Sequence, residues 1–146
     1  MRKSKISVKV ARGKNDIQKA FKIREEVFIK GQNVPLGRER DKYDKIATHF
    51  LVFESSKAIG AARVRFVARK TKIERMAVLE KYRGKGIGKK LLKFIISYVK
   101  KDANNLVLGA QCHAIGFYKK LGFKEKGKVY ADAGIKHKEM LLKLGK

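Results

Sequence analysis

The stretch from Lys72 to Val99 constrains this chain most. Ile73, Met76, Ala77 and Val78 form an apolar, partly β-branched run that reads as a strand. Ile87, Leu91 and Ile95 recur at a spacing of four, with Gly88, Leu92, Ile96 and Val99 beside them, which makes one apolar face of a helix. Between the two lies Arg83-Gly84-Lys85-Gly86-Ile87-Gly88-Lys89, a glycine-rich turn with basic residues on each side. A strand feeding such a turn into a helix makes an anion site. The first helical N–H groups lack internal partners, and the helix dipole adds partial positive charge there.

The spacing narrows the anion. A dinucleotide fingerprint needs glycine where Lys89 stands, and a Walker lysine loop needs glycine where Arg83 stands. What remains is Arg83-x-x-Gly86-x-Gly88 after a strand.

The length of 146 residues suits one domain over 1–146 with a sizeable core, and 44% hydrophobic with 35% charged residues excludes a disordered chain. Met1-Arg-Lys-Ser-Lys-Ile6 lacks an apolar signal core, and no run is long enough for a membrane span. One cysteine precludes an internal disulfide and fits a reducing cytoplasm. Lys and Arg total 38 against 13 acids, a formal charge of +25, so the field draws polyanions. The lysines are spread along the chain, which equally describes a solvated surface.

Taken in order, Ile6, Val8 and Val10 alternate as a first strand. Asn15 with Gln18 reads as a capping box for a helix striped by Ile17, Phe21, Arg24, Val27 and Phe28, ended by Gly31. Residues 32–44 are polar and irregular, with one helical turn near Tyr43. His49–Glu54 and Ala58–Val67 read as strands joined by Ser55-Ser56-Lys57. Beyond the central helix come a strand at Leu106–Ala110, a short helix at His113–Leu121 closed by Gly122, and strands at Phe123–Tyr130 and His137–Leu144. The predicted order is β-α-β-β-β-α-β-α-β-β, an α/β (α+β) fold with a mixed, mostly antiparallel sheet.

Two local patterns resemble the GCN5-related N-acetyltransferases. Arg83-x-x-Gly86-x-Gly88 resembles that family's acetyl-CoA pyrophosphate loop. Gln111-x-x-Ala114-x-x-Phe117-Tyr118-x-Lys120-x-Gly122-Phe123 resembles its later signature, with Gln111 in place of asparagine. Ile23–Ile29, Gln32, Val34-Pro35, Asp41, Asp44, His49 and Ala62-Arg63-Val64-Arg65 are similar to a bacterial and archaeal subgroup. That pattern has Glu-Gln where this chain has Gly31-Gln32, so acceptor identity is not carried over.

The resemblance implies direct transfer of acetyl from acetyl-CoA to a primary amine. Arg83, Gly84, Lys85, Gly86, Ile87, Gly88 and Lys89 would hold the pyrophosphate. Met76, Ala77 and Val78 would align the pantetheine through main-chain groups, with Gln111 also on the cofactor side. Tyr118 matches the leaving-group tyrosine; without the resemblance it reads as a core aromatic. Glu74 is expected to share a face of the strand with Met76 and to act as base, or else to pair with an arginine or lysine. The acceptor is left open among small molecule, peptide N-terminus and lysine, anionic acceptors included. The resemblance is compatible with a homodimer.

Cys112 and His113 are adjacent, so their side chains diverge and make a poor dyad. His49 reads as a hydrogen-bonded structural residue. The scattered histidines and single cysteine show no metal spacing. Two other readings stay open: a CoA-binding module without catalysis, and a basic nucleic-acid or ribosome-associated protein on the same fold.

Overall fold

The computed structural model describes residues 5–67 and 69–145. The reading of the basic N-terminus over residues 1–4 lies outside them. Seven strands form one sheet: β1 (Ile6–Val10), β2 (Thr48–Glu54), β3 (Lys57–Val67), β4 (Lys70–Val78), β5 (Asn105–Gln111), β6 (Lys124–Asp132) and β7 (Ile135–Lys143). Their spatial order is β1-β2-β3-β4-β5-β7-β6. Among the described residues, β4 and β5 run parallel and the other strand pairs are antiparallel. The helices are α1 (Gly13–Arg24), α2 (Leu36–Glu39), α3 (Ile87–Val99) and α4 (Ile115–Lys120). The α/β element order follows the sequence expectation, with α2 as an added single turn.

Strand β2 is buried on both faces, which explains its unbroken apolar run. Phe50 and Val52 pack with Leu91, Leu92 and Ile95 of α3. Leu51 and Phe53 turn the other way, onto Ala20 and Ile23 of α1.

Two expectations for the first helix are corrected. It starts at Gly13, so Asn15 lies inside it, and the side chain of the capping residue, Arg12, makes no cap bond. Asp16, rather than Gln18, reaches back to accept the Arg12 N–H at 2.8 Å. Gly31 also fails to stop the helix. It keeps right-handed geometry (φ −80°, ψ −31°), and the reversal falls at Asn33 with φ 57°. Asparagine tolerates that left-handed conformation. Between them, Glu25–Lys30 widens into π-helical geometry, a distortion frequent at functional sites.

Among the described residues, no helix is long and apolar enough to cross a membrane.

Candidate active site

Strands β4 and β5 pair only through Thr71–Leu106, Lys72–Val107 and Ile73–Leu108. Beyond Ile73, β4 follows β3 while β5 follows β7 to Gln111. The sheet therefore opens toward the C-terminal ends of its two parallel strands. A cavity of about 490 Å³ occupies the opening, lined by Glu74, Met76, Ala77, Val78, Arg83, Gln111 and Tyr118 among others. Main-chain groups on the open edge of β4 lack a strand partner there, so they are available to a ligand laid along it.

A bulge shapes this edge. Ala61 pairs with Ala77 and Arg63 with Glu74, so Arg75 and Met76 together oppose Ala62. Arg75 takes φ 55°. The extra residue breaks the alternation and corrects the expectation that Glu74 and Met76 share a face. Met76 packs onto the α3-side core, whereas the Glu74 carboxylate bonds Arg63 and Arg65. Arg63 faces away from that core, because its neighbours Ala62 and Val64 belong to it.

Tyr118 stands on α4 with its ring edge-on to Phe117 and Phe123. Its hydroxyl lies 3.6 Å from the Met76 sulfur. Burial pushes the phenol pKa up to about 12, so the hydroxyl keeps its proton. Glu74 is held as an anion. Its Oε1 accepts from Arg65 Nε at 2.6 Å and from Arg63 Nη2 at 3.0 Å, while Oε2 has only Arg65 Nη2 at 3.3 Å and the Lys72 ammonium at 3.6 Å. Burial alone would raise its pKa, but the two arginines outweigh that and hold it below the ordinary value.

The glycine turn adjoins this cavity. Gly84 and Gly86 take φ 76° and 79°, conformations that glycine adopts without strain, and Gly86 precedes the first turn of α3. Arg83 Nε donates to the Val78 carbonyl at 2.9 Å and ties the turn to the end of β4. Lys85 and Lys89 are exposed, whereas the Ile87 side chain lies in the core, leaving only its main chain for a ligand. Gly88 packs near Phe117 and Met76; a Cβ there would sit 3.4 Å from the Phe117 ring. Of the expected cofactor residues, Met76, Ala77, Val78, Arg83 and Gln111 line the cavity, and Gly84 to Lys89 form the turn beside it.

Beside the expected Gln111, the cavity is lined by groups that sequence reasoning missed: Gln32, His113, Tyr130 and His137. Gln111 and Gln32 exchange both amide hydrogen bonds, at 3.0 and 2.8 Å, and His113 Nε2 lies 2.7 Å from Gln111 Oε1. Tyr130 stacks on His137 at a centroid distance of 5.7 Å, and both line the cavity. Their approach depends on β7 lying between β5 and β6, a pairing no local pattern announces. Behind Glu74, Arg24 and Arg63, both 0% exposed, bind Glu39, Asp41 and Asp44. Arg24 within an apolar stripe was the available signal. Cys112 is not among the cavity-lining residues.

The comparisons agree with this architecture. Residues 16–144 match the model of the acetyltransferase (GNAT) domain. The uncharacterized N-acetyltransferase YjcF of Bacillus subtilis is 36% identical over 134 residues, covering 90% of this chain and 96% of YjcF. Among solved structures, Escherichia coli ElaA superposes with TM-score 0.84 at 23% identity, over 94% of this chain and 99% of that one. An acyl-CoA N-acyltransferase from Pseudomonas aeruginosa gives TM-score 0.83 at 21% identity, over 95% and 99%. These two structures share the fold. The family match and the identity to YjcF carry the assignment: this chain belongs to the GNAT acetyltransferase family.

Proposed function

We propose that the chain is one acetyltransferase domain that moves acetyl from acetyl-CoA directly to a primary amine. The observation that carries this is the opening between β4 and β5, with Tyr118 at its wall and a glycine turn opening α3 beside it. The turn and the free α3 N–H groups fit a diphosphate, and the open edge of β4 at Met76, Ala77 and Val78 fits an extended amide-bearing arm.

In the reaction the amine nitrogen forms a bond to the thioester carbon, the C–S bond breaks, and the amine loses a proton. Tyr118 donates a hydrogen bond to the developing thiolate. With a pKa near 12, the phenol stabilises a thiolate, whose ordinary value is about 8.5, rather than surrendering its proton outright. Glu74 takes the amine proton through water at Oε2, its less occupied oxygen. Its arginine partners make it a weak base, so the proton passes on to solvent. The single cysteine supports a reducing cytoplasm as the place of action.

A panel of amines with acetyl-CoA, read by free-thiol release, tests the reading. Amine-dependent release supports it; none across small amines, peptide N-termini and lysine peptides contradicts it.

A second reading rests on charge. Every residue of β6 is exposed, and it carries Lys124, Lys126 and Lys128. Such lysines also protect an edge strand from pairing. RNA affinity that persists at high salt and depends on sequence would favour a nucleic-acid role.

A further inference from the structure

We propose that Arg75 binds an acidic group on the acceptor, so that the favoured amine also carries a carboxylate or a phosphate ester. This deepens the transferase reading and rests on it. Arg75 is the bulge residue of β4, between Glu74 and Met76, and it lines the cavity. Its φ of 55° lies in the left-handed region, which strains a non-glycine residue and persists only where the surroundings enforce it.

The surroundings here fix the guanidinium. Nε donates to the Glu39 carbonyl at 2.9 Å, and Nη2 donates to the Arg38 carbonyl at 3.0 Å and to Asp41 Oδ2 at 3.2 Å. Nη1 makes no hydrogen bond among the described residues, and the side chain is 22% exposed. An arginine has five N–H donors, and the two on Nη1 are thus oriented and unspent. Preorganised N–H groups of this kind suit the oxygens of a carboxylate or phosphate.

Charge points the same way. Arg24, Arg63, Arg65, Arg75 and Lys72 stand against Glu39, Asp41, Asp44 and Glu74, five cations for four carboxylates. Arg38, which also lines the cavity, is already paired with Asp132 at 2.9 Å. Burial, with Arg63 and Arg24 nearby, opposes the charge on Arg75, and an incoming anion relieves that. An acid bound there shares the cavity with Met76 and Tyr118, so an amine on the same molecule can extend toward the reacting region. Val27, Phe28 and Val34 offer apolar wall for the rest of the molecule.

The test is equilibrium binding to the protein with CoA present. The probes are an N-acetyl amino acid against its carboxamide, and an N-acetyl amino-alcohol phosphate ester against its parent alcohol. The expected result is roughly ten- to hundredfold tighter binding of at least one acid over its neutral partner, the range for a charged hydrogen bond. The pair with the larger ratio identifies the acid. Arg75→Gln should bring that ratio to about one, and Arg75→Lys should retain part of it by charge alone. Equal binding of acid and neutral partner in the wild type, or a ratio unchanged in Arg75→Gln, overturns the proposal. The wild-type comparison stands even if Arg75→Gln fails to fold. Failure of thiol release with every amine counts against the transferase reading, whereas equal binding of the paired probes counts against Arg75 alone.

Discussion

The Tyr118 hydroxyl lies 3.6 Å from the Met76 sulfur, across the opening where β4 and β5 part. Sulfur is a weak acceptor, so the phenol gives up little when a better one arrives. Tyr118→Phe keeps the ring contacts with Phe117 and Phe123 and removes only this donor. We predict that kcat falls roughly ten- to a thousandfold while acetyl-CoA affinity stays near wild type, because the contact matters in the transition state. Steady-state kinetics with calorimetry checks both halves. Unchanged kcat would leave Tyr118 a packing residue.

Gly86→Glu tests the turn. A Cβ at Gly86 meets nothing within 4 Å, so the substitution does not crowd the free protein. It places a side chain at φ 79° and a negative charge where the proposed diphosphate sits. Acetyl-CoA binding should be lost by calorimetry. Wild-type affinity would move the pyrophosphate site elsewhere.

The turn and α3 were legible because a 3.6-residue apolar period and alternating glycines are local signals. The opening in the sheet was not legible. It depends on where β4–β5 pairing stops and on one inserted residue, and Arg75-Met76 looks like ordinary strand sequence. The capping box failed because Asp16, one residue past Asn15, offered a better acceptor once the helix began at Gly13. The Arg24 cluster gathers partners 15 and 20 residues away through side-chain bonds that periodicity does not encode.

Arg24→Met should be strongly destabilising. Arg24 is 0% exposed and bonds Glu39 at 2.8 Å and Asp44 at 2.7 Å. Removing it takes the shortest cation contact from two carboxylates that water does not reach well, leaving Asp44 with Arg63 at 2.8 Å and Glu39 with Arg75 at 3.2 Å. Urea denaturation should show a loss of about 3–5 kcal/mol. A loss below about 1 kcal/mol would mean that Arg63 and Arg75 compensate fully.

Acid should unfold the protein in two stages. Burial depresses His49 below its ordinary 6.5, so the unfolded chain takes that proton first and stability declines as pH falls below about 6.5. Asp41, Asp44 and Glu74 lie below their ordinary 3.8 to 4.5, because arginine hydrogen bonds outweigh the opposing effect of burial. Their contribution is complete above those values, begins to fall away as pH drops below them, and is fully lost only as pH falls through the depressed folded-state values. Thermal melts from about pH 8 to about pH 3 should show both stages. His49→Gln, which can keep a donor to the Asp44 carbonyl, should remove the first. A melting temperature flat down to the carboxylate range in the wild type would contradict the His49 contribution.

Direct transfer is tested most squarely by mass. The protein is incubated with isotopically labelled acetyl-CoA, first alone and then with a working amine, and both protein and small-molecule masses are recorded. Cys112 is not among the cavity-lining residues, so the account predicts an unmodified protein in both cases and label on the amine nitrogen only in the second. A labelled adduct on the protein that the amine then discharges would contradict direct attack, and label that never reaches an amine would contradict the transferase itself.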